Sequence, residues 1–197
     1  MKVLNPAPAV CVYEDFYPDA HLLLEEVKIA AEFEYSVCPW IRSRVHIKGQ
    51  PDTHKVEARL SVESNLERVR RGNDVDYESL RSVVLDFIKN LDMVIHDYRA
   101  VYDLQLTQDE GFQVLRYENT AEYMMHHDHN PQNRRVLSMV CFLNDDFEGG
   151  NLEFPYHEVN ISPKAGMVVV FPSGFAYSHI AHPVESGTKY SMVTWYV

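Results

Sequence analysis

Cysteine is scarce in this sequence: Cys11, Cys38 and Cys141 are the only three among 197 residues, and no Cys-x-x-Cys pair occurs. An odd number so widely spaced excludes a disulfide framework and a zinc ribbon, and it suits a reducing compartment. Long apolar runs are missing too. No stretch approaches the roughly 18 apolar residues of a membrane-spanning helix, and Met1-Lys2-Val3-Leu4-Asn5-Pro6 lacks the apolar segment of a secretion signal. A soluble protein of the cytoplasm, or of a host's cytoplasm for a viral source, is the expectation, with no membrane partner. Positive charge is in deficit, 18 Lys and Arg against 29 Asp and Glu, for a formal net charge of −11. Such a field repels phosphate backbones, so nucleic acid is not an expected partner. The one basic cluster, Arg68, Arg70 and Arg71, is interrupted by Val69 and flanked by Glu67 and Asp74, which reads as solvated surface. No repeat, low-complexity tract or Pro/Gly linker divides the chain, and a single domain over 1–197 is expected.

What is present is a globular profile, 46% hydrophobic with 12 Tyr and 9 Phe. Its hydrophobic period changes along the chain. Leu22, Leu23, Val27, Ala30 and Ala31 recur at helical spacing between Asp19 and Phe33, with Pro18 and Asp19 as start signals. From Tyr77 to Tyr102 a longer stripe, Leu80, Val84, Phe87, Leu91, Val94, Ile95 and Tyr98 among its members, predicts a helix that packs on a sheet. After Gly111 the pattern turns to short runs rich in Val, Phe and Tyr: Phe112–Tyr117, Val136–Leu143, Asn151–Phe154, Met167–Phe171 and Lys189–Val197. Turn formers such as Glu148-Gly149-Gly150 and Ser186-Gly187 separate them. Helices first and strands afterwards predict an α+β domain, with helical support over about 1–110 and a strand-built core over about 111–197. Ser36–Asn73 shows no clear period and is compatible with two strands and a long loop.

The densest group of potential metal ligands is His126-His127-Asp128-His129. In an extended segment His126 and Asp128 share one face, and only that pair joins an imidazole to a carboxylate. Two histidines and one carboxylate form the facial triad of non-haem Fe(II) oxygenases; an exposed His-rich loop or a zinc site is the competing reading of the cluster alone. The third ligand has three candidates, His157, His179 and His182. His182 precedes Pro183 and so sits at a strand end, which favours His179. Lys189 stands in an otherwise apolar run, where a cation needs an anion or a route to water.

From Tyr117 onward these segments resemble the prolyl 4-hydroxylase branch of the 2-oxoglutarate/Fe(II) dioxygenases. Tyr117 followed by Tyr123-Met-Met-His126-His-Asp128 resembles the family's approach to its metal site. Phe142-Leu143-Asn144 with Phe147-Glu148-Gly149-Gly150-Asn151 resembles its strand and Gly-Gly hairpin, and His179-x-x-x-Pro183-Val184-x-x-Gly187-x-Lys189-Tyr190 its distal ligand, turn and cosubstrate base. Trp195-Tyr196 resembles the closing strand, and Val10–Val27 the opening strand and helix. The combination is far more specific than any one motif.

The resemblance implies a double-stranded β-helix, or jelly roll, braced by N-terminal helices. It implies Fe(II) on His126, Asp128 and His179, and 2-oxoglutarate with its distal carboxylate on Lys189. Tyr117 helps hold the cosubstrate or is a core tyrosine. Phe142 replaces a cosubstrate-contacting tyrosine of relatives, whose hydrogen bond is either missing here or supplied by Thr194 or Ser138. O2 is the oxidant and ascorbate the expected reductant. Tyr123 and Trp195 either line the substrate side, with faces suited to a proline ring, or are core aromatics. The implied reaction is hydroxylation of prolyl residues in a peptide or protein, with release of succinate and CO2. Hydroxylation of a free amino acid or other small molecule is the alternative on the same scaffold, and a non-catalytic metal-binding module is the third reading. Substrate walls are expected in Ser36–Asn73 and the loop after Asp128.

Overall fold

β14, Thr188–Tyr196, is buried along nearly its whole length, and it explains the architecture. Side chains alternate across a strand. Tyr190, Met192 and Tyr196 therefore face one hydrophobic cluster, while Lys189, Ser191, Val193 and Trp195 face a cavity on the other side. A strand covered on both faces reads as a continuous apolar run. A computed structural model describes residues 2–43, 61–72 and 74–197.

In chain order the strands are β1 Lys2–Ala7, β2 Val10–Glu14, β3 Ile41–Arg42, β4 Val62–Asn65, β5 Gln113–Glu118, β6 Tyr123–His126 and β7 Leu137–Phe142. They continue as β8 Glu148–Gly149, β9 Leu152–Phe154, β10 Val159–Ile161, β11 Val168–Pro172, β12 His179–Ala181, β13 Val184–Ser186 and β14. The large sheet has the order β1-β2-β11-β7-β14-β5-β4-β3; a smaller one, β10-β9-β12-β6, faces it, and β13 pairs with β8. The arrangement is a jelly roll.

The helices cover the outer face of the large sheet. α1, Ala20–Ala31, buries Leu23, Leu24 and Val27. α2, Glu67–Arg71, is short. α3, Glu78–Tyr102, buries the predicted stripe from Leu80 to Tyr98 in one cluster with β14 and β7 side chains. Hydrogen bonds fasten it there, Tyr13 Oη donating to Asp97 Oδ2 at 2.8 Å and Tyr98 Oη to the Ala9 carbonyl at 2.8 Å.

Three expectations change. The segment before residue 110 is more than helical support, because it contributes β1, β2, β3 and β4 to the large sheet. The Ser36–Asn73 region does contain two strands, β3 and β4, but also α2; its residues 44–60 and 73 lie outside the described residues. Arg70 is not solvated surface: it pairs with Asp109 at 3.0 Å and Glu67 at 3.0 Å and lies over the Phe112 ring, whereas Arg68 and Arg71 are exposed. A cation over an aromatic ring, flanked by two carboxylates, is held by packing as well as by charge.

Candidate metal centre

The pairing of β6 with β12 places His126 directly opposite His179. Asp128 follows the end of β6, and its loop is anchored because the Asp128 and His129 N–H groups both donate to the Ser173 carbonyl, at 3.1 and 2.9 Å. These elements bring together one atom each of His126, Asp128 and His179 within 4.8 Å of one another. Asp128 Oδ1 is 3.7 Å from His126 Nε2, and Asp128 Oδ2 is 3.9 Å from His179 Nε2. Among the described residues no other group of three such side chains has this arrangement.

The imidazoles are oriented from behind. His126 Nδ1 lies 2.8 Å from the Met124 carbonyl and His179 Nδ1 lies 3.1 Å from that of Tyr177. A carbonyl only accepts, so each Nδ1 carries the proton and each Nε2 lone pair points at the common centre, the tautomer a metal ligand needs. Tyr123 stacks on the His126 ring at 3.5 Å between centroids. Asp128 Oδ2 accepts a 2.6 Å hydrogen bond from Ser138 Oγ, which lies 2.7 Å from Ser173 Oγ. Burial by itself would push the Asp128 carboxyl up, but His179, His126, Ser138 and Arg135 together hold it below its ordinary value. Two imidazoles turned with Nε2 toward a common centre, one carboxylate and an open side facing a cavity suit a divalent metal that must keep positions for exchangeable ligands.

The Ser138 bond yields a first prediction. Ser138→Ala leaves one oxygen of a buried carboxylate without its donor and frees the carboxylate to rotate. Partners of this kind are worth roughly 10- to 100-fold in metal affinity. Mn(II) titration of metal-free protein should show a loss in that range with the thermal midpoint little changed; unchanged affinity would mean that Ser138 does not orient the ligand.

The cavity beside the three ligands measures about 490 Å³ and is lined from β5 by Gln113, Leu115 and Tyr117 and from β14 by Lys189, Ser191, Val193 and Trp195. Lys189 is 2% exposed. Its Nζ donates to the Gly150 carbonyl and lies 5.4 Å from the Tyr117 ring centroid and 5.2 Å from that of Phe142. Gly150 has φ +66°, and a Cβ there would come within 3.0 Å of Lys189 Cδ and of Phe147. Glycine is thus required both by the backbone and by the lysine stem. Burial pushes the Lys189 amine down to about 7. A buried cation site with no carboxylate paired to it among the described residues fits one end of a dicarboxylate, so both donor sets suit iron and 2-oxoglutarate.

Thr194 does not belong to this pocket. It has the opposite parity to Lys189 and lies among Phe87, Leu91 and Met192, with its Oγ1 unbonded. The hydroxyl of β14 that faces the cavity is Ser191, and strand alternation counted from Lys189 already distinguishes the two. Ser138 is engaged by Asp128. The competing histidines lie elsewhere: His182 Nε2 is bonded to Glu153, and His157 is bonded to the Ala176 carbonyl and stacked on Tyr177. Arg135 also lines the cavity, with its guanidinium 3.6 Å from the Trp195 ring centroid and donating to Glu110 at 2.7 Å. Glu63 of β4 and Asn130 and Asn133 of the loop after Asp128 also line the cavity, in the regions expected to wall the substrate.

Comparison with known proteins agrees with this geometry. Residues 112–197 match the family model described as the 2OG-Fe(II) oxygenase superfamily. "Probable prolyl 4-hydroxylase 9" of Arabidopsis thaliana is 26% identical over 134 residues, 53% of this chain and 46% of that protein. The chain spans about half the length of such curated relatives. Among solved structures, a prolyl hydroxylase of Trichoplax adhaerens in complex with a hypoxia inducible factor peptide fragment superposes with TM-score 0.70 at 16% identity, covering 95% of this chain and 83% of that one. A Pseudomonas putida prolyl-4-hydroxylase gives 0.65 at 21%, covering 95% and 91%. These two show a shared fold. The matched stretch, residues 112–197, is somewhat under half of the chain. The chain is thus similar to 2OG-Fe(II) oxygenases and, among them, to prolyl hydroxylases, a likeness that implies Fe(II), 2-oxoglutarate and O2.

Proposed function

We propose that this chain is an Fe(II)- and 2-oxoglutarate-dependent dioxygenase that hydroxylates prolyl residues in a peptide or protein, and that residues 1–197 work as one domain. The observation that carries the reading is the buried Lys189, paired with no carboxylate among the described residues, in the same cavity as the cluster of His126, Asp128 and His179. A metal-binding module has no use for such a cation.

His126, Asp128 and His179 would hold Fe(II), and Lys189 would meet the distal carboxylate of 2-oxoglutarate, with the Tyr117 hydroxyl beside it. When bound, iron and 2-oxoglutarate supply the oxidising chemistry, in which O2 converts the keto acid to succinate and CO2 and a substrate carbon receives a hydroxyl group. The protein's own part is geometry and exclusion of water. Leu115, Val140, Val193 and Leu152 give the cavity apolar walls, while Tyr123 and Trp195 offer aromatic faces to a proline ring. Ascorbate would serve as reductant, and the three buried, unpaired cysteines suit a reducing compartment.

Charge favours a peptide over a free amino acid. A zwitterion needs one cation and one anion to hold it, but among the described lining residues the charges are already assigned. Arg135 is paired with Glu110, Asp128 belongs to the metal set, Lys189 to the cosubstrate, and Glu63 is engaged. The uncharged ends of a prolyl residue inside a chain ask for no such pair.

The test is succinate formation from 2-oxoglutarate with Fe(II), ascorbate and O2, with and without a proline-rich peptide. Turnover that rises with peptide, together with a mass gain of one oxygen on proline, is expected. Turnover indifferent to peptide would redirect the search to small molecules, and no turnover by iron-loaded protein would favour the binding module.

A further inference from the structure

The surroundings of Lys189 determine more than where a dicarboxylate sits. Its Nζ touches one backbone carbonyl, that of Gly150, and two aromatic rings. A carbonyl accepts from a neutral amine as well as from an ammonium, although more strongly from the latter, so this single contact does not demand the charged form. The titratable or charged groups that face the same cavity are Tyr117 from β5, Tyr123 from β6, Glu63 from β4, His127 from the segment after β6, Arg135 from the loop before β7, and the three metal-ligand candidates. Phe142 of β7, Ser191 of β14 and Gly150 contribute none. Among the described residues no ion pair is made by Lys189, and none of these charges contributes to the downward shift of its pKa, which comes from burial. An ammonium stripped of water and given no anion is costly enough that the group sheds its proton instead.

We propose that 2-oxoglutarate binds with uptake of one proton at Lys189: the pocket holds a neutral amine until the distal carboxylate arrives, and the amine takes a proton from solvent as the two meet. The inference rests on the reading of this pocket as the 2-oxoglutarate site. Its balance is simple. The dianion enters, one proton is consumed, the N–H···O⁻ contact of an ammonium forms, and no covalent bond changes.

The free-state value of about 7 sets the window. In the complex the carboxylate raises the lysine well above that value, so the number of protons taken up is the neutral fraction of the free state. It should be about 0.1 at pH 6 and about 0.9 at pH 8, and the dissociation constant should weaken by up to about tenfold per pH unit above 7. Below about pH 6 the affinity should be flat.

Calorimetric titration of 2-oxoglutarate into Mn(II)-loaded protein, run at each pH in two buffers with different ionisation heats, reads the proton number directly and without turnover. The expected rise from near zero at pH 6 to near one at pH 8 should vanish in Lys189→Arg, whose side chain stays charged. Because the larger guanidinium can disturb packing, the wild type is also titrated with 2-oxobutyrate, which keeps the keto acid but lacks the distal carboxylate and should take up no proton. Binding of 2-oxoglutarate with a proton number near zero at every pH would overturn the proposal, as would equal uptake with 2-oxobutyrate. Absence of any 2-oxoglutarate binding would instead overturn the cosubstrate reading on which it rests.

Discussion

Lys189→Met should make the protein more stable while leaving it nearly unable to bind 2-oxoglutarate. Methionine matches the lysine stem in length and suits the surroundings of Tyr117 and Phe142, but it has no charge to desolvate. In the wild type burial pushes the amine down to about 7 from its ordinary value of 10.5. Between those values the unfolded chain binds one more proton than the folded one, so wild-type stability rises with pH across this interval, and the cost is fully present below about pH 7. Removing the amine should therefore stabilise metal-free protein by on the order of 1–3 kcal/mol at pH 6.5, a gain that shrinks toward pH 10. Other titrations occur in both proteins and cancel in the difference. Cosubstrate affinity should move the opposite way, by roughly 10²- to 10³-fold, since truncating one partner of a buried charge pair costs about 2–5 kcal/mol. Paired melting curves at the two pH values, with calorimetric titration, check both halves. A variant less stable at pH 6.5 would mean that the ammonium is well satisfied in the free pocket.

This opposition between stability and binding explains why Lys189 stood out in the sequence while much of its surroundings did not. A lysine inside Lys189–Val197 breaks a local rule of composition, and positions that break such rules without local compensation tend to be functional. Strand alternation is equally local: it groups Lys189, Ser191, Val193 and Trp195, and following it would have replaced Thr194 with Ser191. The long apolar runs of β5, β7, β11 and β14 were legible because both faces of the large sheet are covered, by helices outside and the smaller sheet inside. By contrast β3, β8, β10, β12 and β13 are two or three residues long, too short for a period to register. β1 was missed for a different reason: Lys2–Ala7 is almost wholly exposed and contains Pro6, as an edge strand permits. The hydrogen-bond chain from Asp128 through Ser138 to Ser173 joins three elements distant in sequence, and the stacking of Arg135 on Trp195 depends on how the loop before β7 meets the last strand. Neither leaves a mark in local spacing, because both arise from long-range strand pairing.

Asp128→Ala should separate the metal centre from the fold that supports it. The loop bearing Asp128 is held by backbone hydrogen bonds to the Ser173 carbonyl, which do not involve the lost side chain. The Ser138 and Ser173 hydroxyls, 2.7 Å apart, can still bond to each other when the carboxylate is gone. The fold should therefore persist. What disappears is the one anionic donor of the trio, leaving two neutral imidazoles to hold a doubly charged ion in a pocket where Asp128 is 9% exposed and His179 is 5% exposed. Low polarity magnifies that loss. A supporting hydrogen bond such as Ser138's is worth about 10- to 100-fold in metal affinity; loss of the ligand itself should exceed the Ser138→Ala effect by at least about tenfold and reduce succinate formation to the background of metal-free protein. Asp128→Asn should behave in the same way, because it restores shape and one acceptor but not the charge. The decisive comparison is Mn(II) affinity across Asp128→Ala, His126→Ala and His179→Ala, with circular dichroism confirming that each variant is folded. Comparable losses in all three would identify one shared centre. Retention of metal by Asp128→Ala alongside its loss from either histidine variant would mean that another donor completes the site and that Asp128 serves to orient the imidazoles.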